Sequence, residues 1–226
     1  LNEITKSSDG SVIIGAAIKH KTVAAFDSFS GAQNIVGIAA GKIAHPPIRN
    51  MGTIGGSVAV GDPAADYPNA LLAADASFNI VGQDSSRSIP ADDFFDGFLS
   101  TALEEDELVQ SIQIPAGPEN AVAVYDKIAK IAGDIAILSV AVVIASSGDS
   151  CDYVRIAVGG CGPTPYRVPE AEAKYIDGDL DAAIELLVAA SDPMSDVRGS
   201  AEYRRKVLPR VLRRALTTAQ QMGGRE

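Results

Sequence analysis

Tryptophan is absent from this chain of 226 residues, and six phenylalanines and six tyrosines are its only large aromatics. A buried core must therefore be assembled mainly from Ala, Val, Ile and Leu. Cysteine is nearly missing as well. Cys151 and Cys161 form no CxxC pair and no ligand cluster, which argues against a structural zinc or iron–sulfur centre in this chain. Two such cysteines are expected as small buried hydrophobes in a reducing, cytoplasmic setting. Histidine occurs only at His20 and His45, and Ser57 lies in no GxSxG elbow, so the nucleophile–base pairs of acyl transfer are not available. The longest largely apolar run, Ile135 to Ala145, is far too short to span a membrane. Positive charge is also scarce. Nineteen Lys and Arg face 29 Asp and Glu, for a formal net charge of −10. So acidic a chain repels phosphate backbones and anionic membrane surfaces, which disfavours a role centred on nucleic acid.

What is present divides into two regions. In the first, the β-branched runs Ser11–Ile18, Ser77–Gly82 and Leu108–Ile114 read as strands. Helices are expected over Thr22–Phe29, Ala32–Ala40 and about Tyr67–Ala74, with Asp66 as N-cap of the last and Pro68 in its first turn. The stretch PAGPEN, Pro115–Asn120, is the candidate boundary, giving domains at 1–116 and 117–226. The second region opens with strands in AVAVYDKIAK, IAILSVAVVIAS and YVRIAVGGCG. It continues with helices in EAEAKYI, DLDAAIELLVAAS and Ala201 to about Met222. In that last helix Val207, Leu208, Val211, Leu212, Ala215, Leu216 and Ala219 recur at i, i+3 and i+4 as a core stripe. Arg204, Arg205, Arg210, Arg213 and Arg214 are expected on the opposite, solvated or inter-subunit face, and Pro209 is expected to bend or split the helix. Strands followed by helices point to α+β architecture.

The segment NMGTIGGSVAVGDPAADYP, residues 50–68, is the one stretch whose pattern suggests chemistry. It lacks the lysine of a P-loop, and its glycines do not fit GxGxxG. Asp62 and Asp66 have helical spacing, but Pro63 lies between them and nothing else marks a sugar-hydrolase site. Consecutive backbone N–H groups around Gly55 and Gly56 could cradle a phosphate, with Thr53 and Ser57 adding hydroxyls and a downstream carboxylate accepting from a sugar. A tight turn without any ligand would carry the same glycines.

The stretch IRNMGTIGGSVAVGDPAADYPNALLAADA resembles the second flavin-binding motif of the FAD-binding medium subunits of molybdenum hydroxylases, the family of aerobic carbon monoxide dehydrogenase and xanthine dehydrogenase. FFDGFLSTALEEDELVQSIQIP, YDKIAKIAGDIAILSVAVVI, RIAVGGCGPTPYRVPEAEA and DVRGSAEYRRKVLPRVLRRAL are similar to later segments of that family, in the same order. The resemblance implies an FAD-binding domain followed by a C-terminal domain of antiparallel sheet and helices. It implies FAD as cofactor, with Thr53, Ile54, Gly55, Gly56 and Ser57 at the pyrophosphate, Ser57 standing where the family usually has Asn. It further implies Asp66 at the flavin's sugar portion, Val109 against the isoalloxazine ring and Lys127 near the ring edge, where its charge would favour reduced flavin. Ile135 takes a place where some relatives have an aromatic over the ring. No catalytic acid or base is expected. The partners implied are a molybdenum-cofactor large subunit and an iron–sulfur small subunit in a hetero-oligomer. The family's other, AGG-type glycine loop has no match from Leu1 onward. The expectation is that the chain begins after it and by itself binds FAD weakly, and a fragment or assembly component without flavin is the rival reading.

Overall fold

The computed structural model describes residues 1–147 and 150–224. Among the described residues, nine strands fall into two antiparallel sheets. The first sheet has the order β1-β2-β5-β3-β4 and is built from β1 (Ile4–Lys6), β2 (Val12–Gly15), β3 (Ser77–Val81), β4 (Ser86–Pro90) and β5 (Leu108–Ile114). Along β3 Phe78 and Ile80 are buried while Ser77, Asn79 and Val81 are partly exposed, the alternation of a sheet covered on one face. Helices α1 (His20–Ala24), α2 (Asn34–Lys42), α3 (Pro46–Arg49), α4 (Ile54–Ala59) and α5 (Asp66–Ala73) lie between β2 and β3, and α6 (Ala91–Phe94) follows β4.

The second sheet is a meander of β6 (Val122–Ile128), β7 (Leu138–Ser147), β8 (Ser150–Gly159) and β9 (Tyr166–Arg167). Its central strand β7 is apolar on both faces because both are covered. Ala141, Val143 and Ala145 join the core shared with α2 and α5, whereas Val140, Val142 and Ile144 face the core under α7 (Pro169–Ile176), α8 (Leu180–Ala189) and α9 (Ala201–Gly223). Small residues on the α5 side let that helix approach the sheet closely. The α+β reading and the long elements of the second region hold.

Several local expectations do not. The helix expected over Thr22–Phe29 spans only His20–Ala24, because the following Phe26 and Phe29 leave the helical path and pack edge-on at 4.9 Å between ring centroids. The helix expected at Ala32 starts as a 3₁₀ turn over Gly31–Gln33, closed by a capping box between Ser30 and Gln33. Asp66 is not the N-cap of α5. Ala65 holds that position, and the Asp66 side chain is turned to β6 instead. Arg204 is not solvated but 4% exposed, donating to the Gly160 carbonyl and to Asp196, both at 2.6 Å. Pro209 does not split α9, which runs unbroken from Ala201 to Gly223.

Candidate functional site

The TIGG segment is where α4 begins. Thr53 is in extended conformation and serves as N-cap, its Oγ1 accepting from the Gly56 N–H at 3.1 Å. The chain just before it lies along the residues after β2. Ile54 donates to the Ile18 carbonyl and Gly55 to the Ala16 carbonyl, each at 2.9 Å, and His20 donates to Gly52 at 3.1 Å. The backbone donors of the simple cradle are therefore not free for a ligand. The N–H groups of Ile54, Gly55 and Gly56 already have acceptors inside the protein. The two glycines serve different ends. A Cβ on Gly55 would stand 2.5 Å from the Ala16 Cβ and 2.8 Å from its carbonyl oxygen, so this glycine exists for close backbone packing. Gly56 is exposed, and a Cβ there would meet only the Thr53 hydroxyl at 3.1 Å. What this loop offers a ligand is the partly exposed Thr53 and Ser57 hydroxyls and close approach over the bare Cα of the exposed Gly56.

Asp66 and Lys127 come together across the two sequence regions. Lys127 Nζ lies 2.9 Å from Asp66 Oδ2, and the Tyr125 hydroxyl donates to Oδ1 at 2.8 Å. Both side chains of the ion pair are nearly closed to solvent, at 7% and 6% exposure. Burial raises the Asp66 carboxyl above its ordinary range, against the opposing pull of the Lys127 charge and of the hydrogen bonds from Lys127 and Tyr125. Lys127 also donates to the Lys42 carbonyl at 3.2 Å. Val109 stands apart from this pair. It lies on β5 in register with Ile80, with 8% of its surface exposed.

Between the pair and the glycine loop, α1 forms a link. The His20 ring stands next to Gly52, where a Cβ would come within 2.6 Å of Nε2, and its Nδ1 is 3.3 Å from the Tyr67 hydroxyl, one residue from Asp66. Beside the pair opens a cavity of about 470 Å³, ligand-sized, whose lining includes Lys42, His45, Arg49, Tyr125, Lys127 and Ile131. Arg49 donates to the carbonyls of Ile43 and Ala44 at 2.7 and 2.6 Å and so shapes the approach to α3. Lys42 escaped the sequence reading, and His45 was expected in a structural or exposed role. Their signal was Lys42, His45 and Arg49 gathered within eight positions of a chain poor in positive charge. Asp62 is a turn residue, Oδ1 accepting from the Ala64 N–H at 2.9 Å, and its other oxygen pairs with Arg198 at 3.0 Å. Among the described residues no group of His, Cys, Asp and Glu is arranged to hold a metal, and no helix is long and apolar enough to cross a membrane.

A ligand-sized cavity lined by Lys42, Arg49 and Lys127 as well as Asp126, beside a glycine loop with partly exposed hydroxyls, defines a two-sheet α+β protein with one candidate site between its two sheet regions. Residues 1–117 match the FAD binding domain in molybdopterin dehydrogenase, and residues 123–219 match the CO dehydrogenase flavoprotein C-terminal domain. The carbon monoxide dehydrogenase medium chain of Afipia carboxidovorans is 36% identical over 214 residues, covering 92% of this chain and 74% of that protein. The nicotine 6-hydroxylase medium subunit of Paenarthrobacter nicotinovorans is 35% identical over 213 residues, covering 92% and 75%. The solved carbon monoxide dehydrogenase of Hydrogenophaga pseudoflava superposes with a TM-score of 0.92 at 33% identity, covering 98% of this chain and 78% of that one. This chain belongs to the family of FAD-binding medium subunits of molybdenum hydroxylases.

Proposed function

We propose that this chain binds FAD and serves as the electron-transfer flavoprotein of a molybdenum hydroxylase, beside a large subunit carrying the molybdenum cofactor and a small iron–sulfur subunit. The observation that carries the site assignment is the buried Asp66–Lys127 pair opening on a cationic cavity in a chain of net charge −10. The donor set suits a dianionic pyrophosphate attached to a polyol and a flat ring. Thr53, Gly56 and Ser57 would meet the pyrophosphate, Asp66 would accept from the sugar hydroxyls, and Val109 and Lys127 would border the ring. FAD, when bound, supplies the redox chemistry. The chain's own residues bind and orient it, exclude water and set its electrostatic surroundings. Lys127 does the last as half of an ion pair, so its field at the ring is that of a dipole rather than of a free charge.

A second reading, a subunit that keeps the fold without flavin, is favoured by one observation: the N–H groups of Ile54, Gly55 and Gly56 are already engaged within the protein. Titration of the protein with FAD, followed by quenching of flavin fluorescence, separates the two. Saturable binding weakened by Asp66→Asn and Lys127→Met is the expected result. Absence of quenching at every FAD concentration supports the second reading.

A further inference from the structure

The Asp66 carboxylate occupies a place where burial is costly, and two donors from one strand hold it there. Tyr125 and Lys127 are two residues apart on β6, so their side chains leave the same face of the sheet. They take one carboxylate oxygen each, at 2.8 and 2.9 Å. Behind Tyr125 lies a polar support. Ser139, the register partner of Lys127 on β7, accepts from Asn69 of α5 at 3.0 Å, and both are fully buried. This buried Asn69–Ser139 pair lies one α5 turn and one strand away from the Asp66–Tyr125 contact. Asn69 follows Asp66 by three residues and shares its face of the helix. Five residues of α5, β6 and β7, Asp66, Asn69, Tyr125, Lys127 and Ser139, thus form a polar patch in an otherwise apolar junction, and two of its donors, Tyr125 and Lys127, converge on Asp66.

We propose that Tyr125 is the positioning residue of this site: its hydroxyl fixes the Asp66 carboxylate, and through it the Lys127 ammonium, in the orientation that a bound FAD meets. The inference rests on the reading that Asp66 and Lys127 contact FAD. Tyrosine is needed for its oxygen alone, since Phe fills the same space and Tyr125 is only 6% exposed. With Phe, a buried carboxylate keeps one donor instead of two and takes up a proton more readily. The charged and titratable groups facing Asp66 are Lys127 and Tyr125 of β6, Lys42 of α2 and its own neighbour Tyr67, so none other replaces the lost donor.

The test is FAD titration between pH 5 and 9 of the wild-type protein, Tyr125→Phe, Asp66→Asn and the double variant. Tyr125→Phe is expected to weaken FAD binding about tenfold or more, the loss of one charge-assisted hydrogen bond, and to shift the acid limb of the binding profile upward. In the Asp66→Asn background the same change is expected to add nothing, because Tyr125 acts through Asp66. An unchanged affinity and pH profile in Tyr125→Phe, or losses that simply add in the double variant, overturn the inference while leaving the flavin reading intact. A wild-type protein that never quenches flavin overturns both. Carbon-13 resonances of the Asp66 carboxyl provide a readout without FAD. Its titration midpoint is expected to rise in Tyr125→Phe, and a midpoint that stays put sinks the proposal even if the variant binds too weakly to assay.

Discussion

At the scale of single residues, two adjacent glycines separate packing from ligand approach. Gly55→Ala forces a methyl to within 2.8 Å of a backbone oxygen that cannot move without disturbing the end of β2. The variant is expected to lose about 1–3 kcal/mol in urea unfolding. Gly56→Ala meets only a hydroxyl at 3.1 Å and gains helix propensity, so stability is expected to stay within about 1 kcal/mol while FAD binding falls. Equal destabilisation by both would refute this division. His20 makes the second residue-scale prediction. Burial, and then the Arg49 charge, lower its pKa from the ordinary 6.5. The unfolded chain therefore takes up the proton first as pH falls, so the contribution of His20 is fully present above about pH 6.5 and drains away below it. Urea midpoints at about pH 7.5 and 5.5 are expected to differ more in the wild type than in His20→Gln, and an identical difference would rule His20 out. What the sequence could convey at this scale was the identity of the glycines, not their tasks. The acceptors of Ile54 and Gly55 are Ile18 and Ala16, distant in the chain, and no local pattern states that they are near. Asp66 misled for the same reason. Its position before a helix suggests a cap, while its actual partners lie on a strand of the other sheet.

At the scale of elements, length decided what was legible. The run Leu138–Ser147 is long enough to read as a continuous apolar, β-branched strand and α9 is long enough to display a helical period, and both were readable. Helices α3 and α6 have four residues each and β9 has two, too few to display one. Helix α9 carries the prediction proper to this scale. Its core stripe, from Leu208 through Ala219, is packed beneath the second sheet, and that burial keeps the helix continuous through Pro209 although the ring removes one backbone donor. Pro209→Ala restores the donor and is expected to stabilise the protein by about 1–3 kcal/mol, read from the midpoint and slope of urea unfolding. A destabilised variant would mean that the helix depends on proline geometry at this point.

At the scale of the whole molecule, the question is what fastens the two matched halves together. The apolar junction between α5 and the second sheet supplies area, but side chains such as Ala141 and Ala157 bring little geometric selectivity. Selectivity comes from an ion cluster at the end of α5. Asp75 accepts from Arg167 at 2.6 Å, from Arg155 at 2.8 Å and from the Tyr153 hydroxyl at 3.0 Å. Arg167 also grips Glu172 through Nε at 2.9 Å and Nη2 at 3.0 Å. Asp75 belongs to the first matched segment, and Tyr153, Arg155, Arg167 and Glu172 belong to the second. With Arg167 10% exposed and Glu172 8%, neither is well screened by water, so removing the cation leaves the buried Glu172 carboxylate without its close partner, while Asp75 keeps Arg155 and Tyr153. Arg167→Met is expected to cost about 3 kcal/mol and to split a single unfolding transition into two, as the halves lose their common anchor. Arg213→Met provides the control. That arginine pairs with Asp181 on the surface, at 52% and 75% exposure, and its loss is expected to cost less than about 1 kcal/mol. The two changes differ in burial and in partners, since Arg167 joins Asp75 and Glu172 across the halves whereas Arg213 meets Asp181 alone. If calorimetry finds the two variants equally stable and equally cooperative, the cluster at Asp75 is not what joins the halves, and the apolar contact of α5 with β7 and β8 must suffice.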